Sequence, residues 1–204
     1  MKLHWSPRSP FVRKVMVCAH ELGLAERIDK VRTVVRMGQP NETLLHDNPL
    51  SKIPTLVLDD GTVLFDSLTI CEFLDDLAGG GRLFPCDPDA RFRALTRHAL
   101  GNGLLDMLIL WRNERDKPEA RRTPEWLDSF AVKLRASLAQ LEAGAAARRG
   151  ASFDIGDVAA GCALSYLDFR FPDLAWRQGH QGLAAWHEEF AARPSARATE
   201  IVDA

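Results

Sequence analysis

Residues Lys52–Ser67 read K-I-P-T-L-V-L-D-D-G-T-V-L-F-D-S. The stretch holds two short apolar runs, Thr55-Leu56-Val57-Leu58 and Thr62-Val63-Leu64-Phe65. Between them, Asp59-Asp60-Gly61 supplies the turn chemistry of a β-hairpin. Pro54 stands at the mouth of the hairpin, after β-branched Ile53. Proline donates no ladder hydrogen bond, so it belongs at a strand's first position or on an edge. The edge beside it is then left with backbone groups able to pair with an extended peptide. Asp66-Ser67 stands at the hairpin's exit, before a helical pattern. Ser67 is a good N-cap, and a helix N-terminus attracts a carboxylate. Asp66 beside it is suited to an ammonium. Together these features describe a receptor for a small zwitterionic peptide.

On either side of the hairpin, the first part of the chain alternates strand and helix patterns. Lys2 to Trp5 predicts a short strand. Pro10 to Leu22 carries Phe11, Val15, Cys18 and Leu22 at helical spacing, and Gly23 is placed to end it. Ile28 to Val35 reads as a second strand, followed by a polar stretch with room for a short helix. Leu68 to Ala78 is the next helix, with Leu68, Cys71, Leu74 and Ala78 on one stripe. The order β-α-β, then β-β-α, is the α/β thioredoxin-like arrangement: a small mixed sheet flanked by helices.

Gly79-Gly80-Gly81 breaks the pattern, and the sequence to Pro88 reads as a linker. The expected division is therefore an α/β domain over residues 1–79 and an all-α domain over 88–204. Helices are expected from about Asp89 to Arg115, after Pro124 to about Arg148, and from Leu183 to Ala192, closed by Arg193-Pro194. Another start is well marked by Asp154 as N-cap, Asp157 three residues on, and Phe153 with Val158 in hydrophobic-staple positions. Ala159 to Phe169, almost wholly apolar, predicts a buried central helix.

Composition narrows the function classes. The chain has 204 residues with a formal net charge of −2, so no basic surface invites nucleic acid. Hydrophobic residues make up 46% and charged residues 26%, ordinary for a globular domain with a large core. No apolar run approaches the roughly 20 residues of a membrane span. With no signal-peptide pattern at Met1–Pro7, a cytoplasmic location is expected. Cys18, Cys71, Cys86 and Cys162 are widely spaced, and the His residues are scattered, so neither a disulfide framework nor a metal site is expected.

Ser6-Pro7-Arg8-Ser9-Pro10-Phe11 lies between the first strand and the first helix. Pro10 suits the first helical position, which makes Ser9 the N-cap. A hydroxyl there faces the positive end of a helix, where a ligand thiolate would also be stabilised. Serine stays protonated, so it would donate to a sulfur anion and lower the thiol pKa. A serine that only caps its helix is the alternative. Arg8, flexible and basic, stands beside the proposed thiolate.

Over essentially its whole length the chain resembles the cytosolic glutathione transferases. S-P-R-S-P-F-V-R-K-V, N-P-L-S-K-I-P-T-L, F-D-S-L-T-I-C-E-F-L and F-D-I-G-D-V-A-A-G-C-A-L carry the resemblance by their order and spacing. It looks most like the bacterial members with a serine at the start of the first helix. The resemblance implies that Ser9 is the catalytic residue at the first helix's N-terminus. It implies that Ile53, before a cis-Pro54, pairs its backbone with the cysteinyl unit of glutathione. Asp66 and Ser67 would hold the γ-glutamyl ammonium and carboxylate. Lys52 matches a residue that in some classes approaches the glycyl carboxylate, and a solvated surface lysine is the alternative.

The resemblance further implies glutathione as cosubstrate, a small electrophilic and hydrophobic second substrate, a role in detoxification, and a homodimer. Its second-substrate pocket would lie between the domains, lined by the Ser6–Phe11 loop and by the long helix that carries Leu105, Met107, Ile109 and Trp111. Conjugation, isomerisation and dehalogenation stay open, as does a non-catalytic glutathione-binding or protein-interaction module of the same fold. Two positions depart from the family pattern. His4-Trp5 stands where many relatives have Tyr, with Trp5 placed to shape the second-substrate pocket. Asp154 caps the central helix where Ser or Thr is more usual.

Overall fold

In the computed structural model residues 1–203 are described, and they form four strands and eight α-helices. Strand β1 (Lys2–Trp5) runs parallel to β2 (Asp29–Arg32) and antiparallel to β3 (Thr55–Val57). β3 also pairs antiparallel with β4 (Val63–Leu64), so the sheet order is β2-β1-β3-β4. Helix α1 (Pro10–Glu21) links β1 to β2, α2 (Glu42–Asp47) precedes the hairpin, and α3 (Ser67–Leu77) follows it. This is the expected thioredoxin-like arrangement. α1 packs against α3, and Leu3, Val15, Leu56, Ile70 and Leu74 are buried around them.

Two local expectations are corrected. The second strand is shorter than Ile28–Val35. Every residue of β2 is exposed, so no buried face extends it, and beyond the Thr33 amide, which donates to the Trp5 carbonyl at 2.8 Å, the chain leaves the sheet. The hairpin's first strand is not an edge either. β3 lies inside the sheet, and Pro54 is accommodated because it precedes the first ladder residue.

The compact units are cut differently from the element types. One comprises Met1–Phe92 together with the chain from Pro194 on, and the other is Arg93–Arg193. Residues 80–92 stay with the first unit because buried Asp75 accepts from the amides of Leu83 (2.8 Å) and Phe84 (3.4 Å). Pro194 does not simply end a helix. It opens α8 (Pro194–Ala198), which packs on α1, with Arg13 Nη2 donating to the Ala196 carbonyl at 3.2 Å and the Ser195 hydroxyl donating to the Glu21 carboxylate.

The second unit is helical throughout, built from most of α4 (Pro88–Arg115) with α5 (Pro124–Arg148), α6 (Ile155–Arg170) and α7 (Gln181–Ala192). α6 is the expected buried centre. Asp154 Oδ1 accepts from Asp157 N at 3.3 Å and from Gly156 N at 2.9 Å, and Asp157 Oδ2 accepts from Asp154 N at 3.0 Å, a reciprocal capping box between Asp154 and Asp157. Burial and the nearby Asp157 push the Asp154 carboxyl up, against the opposing pull of Arg97 and Arg148. Gly101 of α4 meets α6 so closely that a Cβ there would lie 2.7 Å from the Ala159 carbonyl carbon.

Residues that the sequence offers no pairing for fix α2 to the sheet. Buried His4 lies 2.9 Å from Thr33 Oγ1 through Nδ1 and 2.8 Å from Asp47 Oδ2 through Nε2, while Lys2 Nζ donates to the same carboxylate at 2.9 Å. Hydrogen bonds from Lys2 and His4 hold the Asp47 carboxyl below the usual carboxylate range. A depressed native pKa stabilises the fold above the unfolded-state pKa, and that contribution is lost as pH falls through the native value. Asp47→Asn should therefore lower unfolding stability at pH 7 by about 1 kcal/mol. In denaturant titrations the difference from wild type should close below about pH 4.

Candidate functional site

The strand registers determine what comes together. β1 ends at Trp5, β3 begins at Thr55 opposite His4, and β4 leaves the sheet after Leu64, opposite Leu56. The Ser6–Ser9 loop, Ile53-Pro54 and Asp66-Ser67 therefore all lie at one end of the sheet. Carried past their last pairs, the registers run toward Ser6 on one side of Ile53 and toward Ser67 on the other. The Ile53–Pro54 peptide is cis, as expected, and so is Phe65–Asp66.

At this end the sheet leaves backbone groups unpaired. Among the described residues, neither the amide nor the carbonyl of Ile53 has a hydrogen-bond partner. Its side chain is buried, so the residue is fixed while its peptide groups stay available. The preceding turn is held by Asn48, a contact set that local sequence does not specify. Asn48 is buried, and its Nδ2 donates to the Lys52 carbonyl at 3.1 Å and to Thr55 Oγ1 at 2.9 Å. Its Oδ1 accepts from Leu50 N at 2.9 Å. The only sequence signal was an Asn-Pro dipeptide, which marks a turn without specifying its contacts. The structural work of Lys52 is done by its carbonyl, and its side chain is exposed.

The exit of the hairpin differs by one residue from expectation. Asp66, not Ser67, is the N-cap of α3, its Oδ1 accepting from Leu68 N at 3.0 Å. A cap needs extended backbone, which Asp66 has, whereas Ser67 already occupies the first helical position. Ser67 is only 2% exposed, yet among the described residues its hydroxyl has no partner. Its Oγ is not among the fully buried atoms that lack a partner, so the hydroxyl opens to the surface at the positive end of α3, where an anion is favoured.

Ser9 is the N-cap of α1 and Pro10 follows it, as expected. Its Oγ accepts from Val12 N at 3.2 Å, and its amide donates to the Ser6 carbonyl at 3.2 Å. Among the described residues no acceptor takes the Ser9 hydroxyl proton. The cap therefore uses only the oxygen's lone pair, leaving a donor at the helix's positive end. Trp5, adjoining the loop, is flanked by the cations of β2: Lys30 Nζ lies 5.6 Å and Arg32 Cζ 5.9 Å from its ring. Leu105 and Trp111 of the long helix are buried core residues, the ordinary packing role the sequence favours for them, with Trp111 stacked against Phe130.

A Ser-His-Asp trio also occurs, in the helical unit, and its chemistry differs from that of a hydrolase. His187 Nδ1 lies 3.1 Å from Arg177 Nη2, which can only donate, so Nδ1 is the accepting nitrogen. His187 Nε2 therefore carries the proton and donates to Ser165 Oγ at 2.9 Å, and Ser165 donates to the Gly161 carbonyl at 2.8 Å. A base for Ser165 would need the opposite tautomer. Asp168 is engaged by Trp176 and Arg177; burial would raise its carboxyl, but their hydrogen bonds bring it below the usual range. The trio ties α6 to α7. Among the described residues no cluster of His, Cys, Asp and Glu is placed to hold a metal, and no helix is long and apolar enough to cross a membrane.

Comparison with known proteins matches this arrangement. Residues 8–77 match the glutathione S-transferase N-terminal domain, and residues 124–189 match the C-terminal domain. A glutathione transferase family member from Pseudomonas fluorescens Pf-5, solved with bound glutathione, is 44% identical with a TM-score of 0.95, covering 98% of both chains. A structure of a family member from the same organism, with bound S-(propanoic acid)-glutathione, is 43% identical with a TM-score of 0.90, covering 99% of this chain and 100% of that one. The uncharacterized GST-like protein YibF of Escherichia coli K12 is 29% identical over 98% of each chain. The chain belongs to the glutathione S-transferase family.

Asn48 gives this site its first test. Asn48→Ala leaves the Leu50 amide without its acceptor and removes one of the two donors to the Lys52 carbonyl, and should destabilise the protein by about 1–3 kcal/mol in denaturant unfolding. Affinity for glutathione should fall at the same time.

Proposed function

We propose that the protein is an enzyme that binds glutathione at this end of the sheet and directs its thiolate at a small electrophile. The observation that carries the reading is the set of uncommitted polar groups there: the Ile53 peptide, the Ser67 hydroxyl and the Ser9 proton. The glutathione bound by the Pseudomonas relative supports the same ligand for this chain. In this reading the cysteinyl unit pairs with the amide and carbonyl of Ile53, as an added strand residue would. The γ-glutamyl carboxylate meets the hydroxyl and amide of Ser67, where the α3 dipole favours an anion. Asp66 keeps one carboxylate oxygen for the γ-glutamyl ammonium, and Lys52 approaches the glycyl carboxylate.

The sulfur then lies beside the cap of α1. Ser9 donates its free proton in a hydrogen bond to the thiolate, and the helix's positive end adds to the field. Both effects favour the anion over the thiol and raise its fraction at neutral pH. A carbon–sulfur bond forms as a leaving group departs with its electron pair, or as a double bond's electrons move to the adjacent carbon, which then takes a proton. A hydroxyl forms no mixed disulfide, so the serine-type reading excludes that route at this position. The S-(propanoic acid)-glutathione on the second Pseudomonas structure supports space beside the sulfur for a short substituent. The family resemblance extends the reading to a cytoplasmic homodimer with a detoxifying role.

Ser9→Ala should lower turnover of a chloronitrobenzene-type electrophile roughly 100-fold, the usual scale for losing one preorganised donor. The pH–rate profile should move to higher pH while glutathione affinity changes little. Ser67→Ala should weaken glutathione binding about tenfold in calorimetric titration and leave the thiol titration in place. Unchanged turnover in Ser9→Ala would transfer the role to Ser6 or the backbone. Failure of the wild type to bind glutathione would favour a protein-interaction module.

A further inference from the structure

The chain's end returns to the loop that carries Ser9. Its last segment begins beside α1, where Ser195 meets Glu21 and the Ala196 carbonyl meets Arg13, and it finishes with Asp203 Oδ1 2.9 Å from Arg8 Nε. Arg8 is the residue immediately before Ser9. Its amide is held toward Ser6 Oγ (3.4 Å) and the Ser9 amide toward the Ser6 carbonyl (3.2 Å), so the loop backbone is fixed while the guanidinium rides on a flexible stem. The nearby cations of α1 are unsuited to meet a ligand: Arg13 is buried and bonded to Ala196, and Lys14 is wholly buried. Arg8 is the exposed cation of this loop, and a carboxylate from the same chain is on it.

That pair is built to exchange. The side chains of Arg8 and Asp203 are 51% and 57% exposed, and ion pairs so exposed contribute only about 0–1 kcal/mol. A ligand carboxylate that presents two oxygens to the guanidinium fork would compete with Asp203 effectively. An anionic electrophile is otherwise repelled by the thiolate it must approach, and a neighbouring guanidinium offsets that repulsion.

We propose that Arg8 is a specificity-determining residue that selects electrophiles carrying a carboxylate close to the reacting carbon, and that Asp203 occupies the guanidinium until such a substrate displaces it. The inference rests on the glutathione-thiolate reading of Ser9 and names the substrate class of that site: short carboxylic acids with a leaving group or an activated double bond.

The test uses product-like ligands, so it does not depend on turnover. Glutathione, S-(carboxymethyl)glutathione and its neutral amide S-(carbamoylmethyl)glutathione are titrated calorimetrically into wild type, Arg8→Gln and Asp203→Asn. Wild type should bind the acid more tightly than the amide. Arg8→Gln should lower the acid-to-amide affinity ratio about tenfold, the scale of one charge-assisted contact. Asp203→Asn, which removes the competing carboxylate, should raise it about threefold. A ratio unmoved by Arg8→Gln, with glutathione still bound, overturns the role of Arg8 and leaves the glutathione reading standing. A ratio unmoved by Asp203→Asn overturns the displacement by Asp203. Absence of glutathione binding in wild type overturns both readings.

Discussion

Only two residues of β3, Leu56 and Val57, are paired on both sides, and beyond them its partners diverge. Two residues before the ladder begins, at Ile53, the neighbouring strands have already become loop on one side and helix on the other. The sheet therefore ends in a place that offers an extended peptide's hydrogen bonds without supplying them. The same geometry sets a helix N-terminus on each flank, since β1 leads to α1 and β4 to α3. An acceptor-rich zwitterionic tripeptide complements that combination of open peptide groups and positive helix ends. The Asn48 hydrogen bonds hold the turn before the opening in place, and the His4–Asp47–Lys2 cluster holds α2 against the sheet behind it.

Two serines show how context separates a working hydroxyl from an inert one. Ser165 has a histidine and an aspartate close by, the company expected of a nucleophile, but its proton is committed to the Gly161 carbonyl and the histidine presents N–H to it. Among the described residues no side chain is hydrogen-bonded to the Ser9 hydroxyl, and its oxygen is used by a backbone amide. Its proton is the uncommitted one. A donor with a free proton stabilises an anion, and that is the requirement for holding a thiolate.

Much of this was readable from residues because it depends on local chemistry. The hairpin followed from Asp59-Asp60-Gly61 between two apolar runs, the α1 cap from Ser9-Pro10, and the α6 capping box from Asp154 and Asp157. What was missed depends on partners distant in sequence. The interior position of β3 is set by pairing with β1, some fifty residues earlier. Ser67 and Asp66 are both good capping residues, and only backbone conformation separates them. Asn48 looks like any turn asparagine, and the return of the chain end to Arg8 carries no periodic signal at all. Gly101 reads as a weak point in a helix until α6 is seen lying against it.

The central claim is that the uncommitted groups around Ile53 form one glutathione site whose sulfur faces Ser9. A crystal structure of the protein soaked with glutathione tests it most directly. The account predicts the cysteinyl backbone paired with the Ile53 amide and carbonyl, the γ-glutamyl carboxylate on Ser67, and the sulfur within hydrogen-bonding distance of Ser9 Oγ. Glutathione bound elsewhere, or with its sulfur turned away from Ser9 toward another donor, would contradict it.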